Sequence, residues 1–292
     1  MTASVRDYVQ LTKPTIMLLV IFTGATALII EGSFLSHPLK FLVFMIGLYL
    51  TGGSANALNQ YFEREVDARM KRTKKRRPLP LNKITAGHAL AFSVGIGVVG
   101  VILFAVFFNW LTAFLSLGTI LFYSLFYTLF LKPRTPQNIV IGGIAGAMSP
   151  VGAWAAATGS TAVLPWLMFL IVFLWTPPHF WALALFYKDD YELTKLPMMP
   201  VVKGDGSTLN QIFGYSVILV AVSIVPVFYG AGIVYVGVAS ALGVLLIRKA
   251  IQARRLQDER SFRSLFGYSI IYLFALFAAM IVGALARQHL GA

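Results

Sequence analysis

Nine stretches of this sequence are each long and apolar enough to cross a lipid bilayer, and nothing else in it constrains the fold as strongly. A spanning helix needs about 20 mostly apolar residues, because ~30 Å of hydrocarbon is covered at about 1.5 Å per residue. The runs fall at roughly 14–32, 39–61, 84–107, 110–131, 138–158, 163–187, 209–229, 231–251 and 266–287. The division between the seventh and eighth rests on Tyr229-Gly230-Ala231-Gly232 alone. Of 292 residues 58% are hydrophobic and 12% charged, about half the charged share of a soluble domain. The expected fold is therefore all-α: a polytopic bundle of nine transmembrane helices with cap loops, forming one domain over 1–292. The polar opening segment and the long first run predict no cleaved signal. The absence of cysteine excludes disulfides, thiolate metal sites and cysteine nucleophiles.

Charge gives the orientation. With the N-terminus in the cytoplasm and nine alternating crossings, 22 of the 24 Lys and Arg residues fall inside, Lys40 and Arg287 being the exceptions. Such a bias sets topology in multi-pass proteins, so the C-terminus is expected outside, in a bacterial-type inner (cytoplasmic) membrane. The net charge of +13 sits in short loops between spans, which argues for membrane topology and against a nucleic-acid partner. Ten of the 11 acidic residues lie on the same side, Glu31 excepted. Carboxylates contribute little to topology, so their clustering needs another reason. They gather at Glu63, Glu65 and Asp67 after the second run, and at Asp189, Asp190 and Glu192 after the sixth.

Asn59, Glu63 and Asp67 are spaced i, i+4, i+8. Each step rotates a helix by only about 40°, so the three oxygens share one face at the mouth of the second run. Hard oxygen ligands followed at once by the basic run Lys71, Arg72, Lys74 to Arg77 suit a Mg²⁺-diphosphate. The same spacing also fits a solvated helix end with Glu–Arg pairs that hold the topology signal. The second cluster begins at Trp175-Thr176-Pro177-Pro178-His179 and runs to Lys188-Asp189-Asp190 and Lys195. In an unbroken helix His179 and Asp190 lie within about 20° of one face, His179 about 16 Å deeper. Pro177-Pro178 is expected to restart the helix just before it. A polar side chain in mid-span must look into the bundle or a wet cavity, although a His bonded to a carbonyl at a kink is the plainer alternative. A third stretch, Tyr127 to Asn138, adds two cations, Lys132 and Arg134, a hydroxyl and an amide beside a proline-fixed turn, and Gly142-Gly143 and Gly146 after it leave room for close packing or a flat ligand. His88 reads as interfacial, and the basic loop 248–263 needs only topology and anionic lipid to explain it.

With those residues in view, the sequence resembles the UbiA family of intramembrane prenyltransferases, and within it the branch that farnesylates haem. The resemblance rests on Leu11-Thr12-Lys13-Pro14, on Asn59-x3-Glu63-x3-Asp67-x2-Met70-x-Arg72-Thr73, and on Lys132-Pro-Arg134-Thr135-Pro136-Gln-Asn138 with Gly142-Gly143. Trp175-Thr-Pro-Pro178-His179-Phe180 and Asp190-Tyr191 leading to Pro197-Met-Met-Pro200 complete it, over roughly residues 10–210. Two departures stand out: Glu63 replaces the family's usual Asp, and the pair Arg76-Arg77 stands where the family has one arginine. The resemblance implies transfer of the farnesyl group of farnesyl diphosphate to the 2-vinyl of haem b, with water capture, giving haem O for terminal oxidases. It implies Mg²⁺ on Asn59, Glu63 and Asp67 and on Asp189 or Asp190, with Lys71, Arg72, Arg76, Lys132, Arg134 and Lys195 on the diphosphate. His179 is expected to meet the haem iron, a propionate or the capturing water. Haem A synthase or a terminal oxidase are the partners such a product implies. The rival readings are a sister enzyme acting on a quinone precursor, a secondary transporter, for which no inverted repeat is found, and a phosphatidyltransferase, whose Asp-Gly-x2-Ala-Arg core is absent.

Overall fold

A computed structural model describes residues 3–290, the side chains of 289 and 290 excepted. Among the described residues there is no strand, and nine helices are long and apolar enough to cross a membrane. They are Pro14–Glu31, Pro38–Phe62, Ala86–Phe107, Trp110–Leu131, Asn138–Thr158, Val163–Phe186, Met199–Tyr229, Ile233–Leu256 and Glu259–Gln288. The chain is a multi-pass membrane protein. Large apolar side chains such as Leu18, Ile102, Phe107 and Trp110 are exposed, as lipid-facing surface requires.

Proline opens two of these helices at the position where its missing N–H costs nothing, Pro14 in the first and Pro38 in the second. The seventh and ninth spans begin earlier than hydropathy alone suggests. Their first turns carry polar residues, and helical backbone bonds persist there although the side chains meet water or headgroups. In the seventh, Gly204 (φ 77°, ψ 167°) breaks the helix just above its apolar part, a conformation that L side chains adopt at a cost. Pro177 and Pro178 do not restart the sixth helix: both lie inside one continuous span. Carbonyls freed by prolines in a span are accommodated by neighbouring helices and local adjustment, and Trp175, Pro177, Pro178 and His179 are all buried.

Each span packs on the next, and the ninth returns to the first, so the bundle closes as a ring. The second and third spans approach closely because small residues face each other. A Cβ on Gly97 would stand 2.5 Å from Ser54 Oγ, and one on Gly100 would stand 2.7 Å from Thr51 Cγ2 and 3.2 Å from its backbone nitrogen. Such small-residue contacts drive helix association where lipid removes the hydrophobic incentive. Gly100→Leu is expected to cost about 1–3 kcal/mol by overpacking, read as a lower unfolding midpoint in detergent. An unchanged midpoint would place the two helices further apart than this.

Within the ring lies a cavity of about 550 Å³, lined by all of the first six spans and the ninth. Its mouth is at the end where both acidic motifs lie.

Candidate active site

The mouth is built from three directions. The first is the turn before the first span. Gln60 Nε2 donates to the carbonyls of Gln10 and Leu11, at 3.0 Å each, and Thr12 Oγ1 meets Tyr49 OH at 2.8 Å. These bonds hold Lys13 in a left-handed conformation (φ 53°, ψ 65°), rare for a residue with a Cβ, and place its ammonium 2.6 Å from Asn59 Oδ1. Burial, reinforced by the nearby Arg77 charge, pulls the Lys13 ammonium down to about 7.

The second direction is the end of the second span. Asn59 Nδ2 donates to Thr128 Oγ1 (3.0 Å), so both ends of the amide are fixed. Glu63 terminates the helix and accepts from Lys132, while Asp67, on the next short helix Arg64–Arg69, accepts from Arg77. Arg77 Nη1 is also 3.9 Å from Glu63 Oε2, so one guanidinium spans both carboxylates. Asn59, Glu63 and Asp67 are all buried. Burial would raise the Glu63 carboxyl, but Lys132, Lys13 and Arg77 together outweigh it and hold the group below the usual carboxylate range.

The third direction is the fourth span, whose last ten residues, Phe122–Leu131, form a π-helix. Lys132 N–H reaches back five residues to the Tyr127 carbonyl (2.8 Å). Such wide turns often mark functional sites. This one brings Tyr123 and Tyr127, stacked at 5.1 Å, into the cavity wall with Lys132 at the mouth. Gly142 makes room for it: a Cβ there would meet the Tyr127 ring at 2.5 Å.

Lys13, Asn59, Glu63, Arg72, Arg77 and Lys132 line the cavity. Several residues singled out from the sequence do not. Arg76 is exposed, whereas its neighbour Arg77 holds Asp67; in the turns 75–77 adjacent side chains diverge, and only the fold selects one. Lys71 and Lys195 are exposed and outside the wall. Arg134 folds back on its own helix end, donating to the carbonyls of Leu129 and Phe130 at 3.0 Å each and stacking on Phe130. Asp189 is exposed. Asp190 is buried, yet its two oxygens accept from the backbone N–H groups of Lys71 (3.1 Å) and Arg72 (3.0 Å). The expected single face from His179 to Asp190 fails because the helix ends at Tyr187 (φ −111°, ψ 24°) and a separate helix, Lys188–Leu193, carries Asp190. In this structure Asp190 pins the loop 70–77 over the mouth. Arg72, set by that contact, lies over the Tyr187 ring at 5.1 Å, and its Nε is buried without a partner among the described residues.

Deeper in the cavity the wall turns aromatic, with Trp175, Phe180 and Phe266 around His179 and Phe274 also in the wall. The His179 ring stacks between Trp175 (centroids 4.2 Å) and Phe266 (4.5 Å). Its Nδ1 lies 2.7 Å from Ser269 Oγ on the ninth span. Tyr123, Phe266 and Ser269 are therefore the site residues that sequence reasoning missed. Lys13 and Tyr127 stood in stretches singled out from the sequence but carried no role there, and Arg77 was one of a pair between which the sequence did not choose. Within the sequence, Ser269 is one hydroxyl in an apolar span with nothing to mark it.

Among the described residues no three His, Asp or Glu side chains come together as a ready metal centre. The mouth is instead a set of buried carboxylates and an amide, each held by a cation. Chemically it can receive a polyanion: cations now paired to carboxylates are poised to pair with phosphate, and the oxygens released suit a hard divalent ion.

The chain matches the UbiA prenyltransferase family over residues 18–281. A relative from Erythrobacter litoralis (strain HTCC2594), named protoheme IX farnesyltransferase, is 46% identical over 285 residues, 94% of this chain and 91% of that protein. Among solved structures, one reported for digeranylgeranylglyceryl phosphate synthase superposes with a TM-score of 0.79 at 20% identity, covering 96% of this chain and 98% of that one. A UbiA homologue from Archaeoglobus fulgidus bound to DMAPP and Mg²⁺ gives 0.62 at 15%, covering 94% and 99%. The nine-helix ring, the paired acidic motifs at one end and the full-length relatives agree: this chain is an intramembrane prenyltransferase of the UbiA family.

Proposed function

We propose that this enzyme transfers the farnesyl group of farnesyl diphosphate to a vinyl group of haem b, with water capture, to give haem O. The observation that carries the reading is one continuous cavity that joins a cationic, carboxylate-lined mouth to a buried histidine among aromatic rings. The name of the Erythrobacter relative supports it.

Lys13, Arg72, Arg77 and Lys132 converge where a diphosphate enters. As the allylic C–O bond breaks, its electron pair leaves with the diphosphate, and these preorganised cations stabilise the charge that develops. Asn59, Glu63 and Asp67 are oxygen donors of the kind Mg²⁺ takes, and the A. fulgidus homologue was solved with Mg²⁺. Mg²⁺ held by them would add Lewis-acid stabilisation of the leaving group. The allylic cation passes along the wall that carries Tyr123, Tyr127 and Trp175, whose π-electrons favour positive charge. The vinyl π-pair forms the new C–C bond. Water captures the cation left beside the porphyrin ring and loses a proton, leaving a hydroxyl. The prenyl tail lies along Ile16, Leu19 and Met148 in the apolar wall. Asp190 orders the loop that carries Arg72 and Arg77.

On this reading the whole chain acts as one domain in the inner membrane, with the N-terminus and the mouth cytoplasmic and the C-terminus outside, and its product passes to haem A synthase or a terminal oxidase. The test is to incubate the purified protein with haem b, farnesyl diphosphate and Mg²⁺ and to follow pigments by chromatography and mass. A product heavier by a farnesyl group plus water, lost on adding EDTA, is expected. Prenylation of a hydroxybenzoate in place of haem would move the enzyme to a quinone pathway.

A further inference from the structure

His179 is held in a way that the transfer of a farnesyl group does not by itself require. Ser269 Oγ donates its one proton to the Phe266 carbonyl at 2.7 Å. Toward His179 it can therefore only accept, so Nδ1 carries the ring proton and donates it across 2.7 Å. Nε2 is left with a bare lone pair, and no protein group meets it among the described residues. The ring cannot turn away, since Trp175 and Phe266 sandwich it with interplanar angles of 19° and 24° and Phe180 stands against it edge-on at 87°. Trp175 is itself fixed, its indole N–H donating to the Ser269 carbonyl at 2.6 Å. His179 lines the cavity. A donated Nδ1–H, a locked tautomer and a free Nε2 are the marks of a metal-ligating histidine, in which the partner of the far nitrogen sets ring orientation and raises basicity.

Resting on the haem reading above, we infer that His179 Nε2 is an axial ligand to the iron of the acceptor porphyrin. A propionate would need a donor, and a bare lone pair offers none. Iron accepts that lone pair without any proton transfer, and imidazole is a nitrogen donor well suited to it. Axial ligation fixes the centre of the macrocycle and leaves its edge, with the vinyl groups, free to meet the allylic cation. Ser269 is then a positioning residue.

The experiment uses the purified full-length protein in lipid nanodiscs, titrated with ferrous haem b and, separately, with metal-free protoporphyrin IX. Wild type is expected to give the absorption spectrum of a nitrogen-ligated haem. His179→Gly is expected to lose that spectrum and to bind haem more weakly than Ser269→Ala, whose lost outer partner costs on the order of 10–100-fold. The affinity of His179→Gly for the metal-free porphyrin should barely change, and added imidazole should restore both haem spectrum and affinity. Ser269→Ala, which keeps the imidazole, should weaken haem binding alone and shift the spectrum. Equal losses for haem and metal-free porphyrin would reduce His179 to packing and overturn the inference, as would an unchanged haem spectrum in His179→Gly. Product formation by wild type separates the two levels. Farnesylated haem with an unaltered variant spectrum removes the ligand and keeps the function, whereas no haem binding and no haem product in wild type removes both.

Discussion

Arg77→Ala is expected to lower kcat/KM for farnesyl transfer by on the order of 10²–10³, the loss typical when one preorganised charge-stabilising group is removed. Arg76→Ala should leave it nearly unchanged. The two arginines are adjacent and chemically identical, so charge count cannot distinguish them. Arg77 holds Asp67, stands 3.9 Å from Glu63 and lines the cavity, while Arg76 faces solvent. Without Arg77 the carboxylates of Asp67 and Glu63 share a buried mouth with one cation fewer, and an arriving diphosphate loses a two-pronged donor. Arg77→Lys keeps the charge but not the fork, and should fall between. The check is steady-state kinetics on purified variants, with the unfolding midpoint recorded alongside to separate lost chemistry from lost fold. Equal losses for Arg76→Ala and Arg77→Ala would remove the assignment.

Asp190→Ala is expected to reduce kcat by on the order of 10²-fold through misplacement alone, as shifts of about 1 Å in positioned groups can do. Its two oxygens are occupied by the amides of Lys71 and Arg72, so the variant frees the loop that presents Arg72 and Arg77. Asp190→Asn retains one carbonyl acceptor and should recover part of the activity. A carboxylate that ligated Mg²⁺ directly would behave otherwise: both variants would raise the Mg²⁺ concentration needed for half-maximal rate. Titrating Mg²⁺ in wild type, Asp190→Ala and Asp190→Asn decides between the two, an unmoved Mg²⁺ dependence being the expected result.

That nine helices among the described residues are long and apolar enough to cross a membrane was legible in the chain, because the bilayer sets a required length and polarity for each segment irrespective of its neighbours. That Asn59 and Glu63 close the second span was equally legible, since helical period is a local property, whereas Asp67 rides the separate helix Arg64–Arg69, because the span ends at Glu63. The functional family could be recognised from five short motifs in order. The roles inside those motifs could not. Asp189 and Asp190 read alike, yet one is exposed and the other clasps a loop from the far side of the mouth, 118 residues away in sequence at Arg72. The geometric link proposed between His179 and Asp190 depended on a continuous helix, and Tyr187 breaks it.

Segment length, hydropathy and the side on which charges gather follow from each stretch of chain meeting its own solvent, and they needed no tertiary information. Which cation meets which carboxylate was decided by long-range packing. Lys13 is placed by Gln60 and Tyr49, Lys132 by a π-helical turn, and the His179 ring by a serine 90 residues away. Each of those contacts joins residues that share no local period, and a hydrogen bond acts only over the distance at which folding sets its two partners.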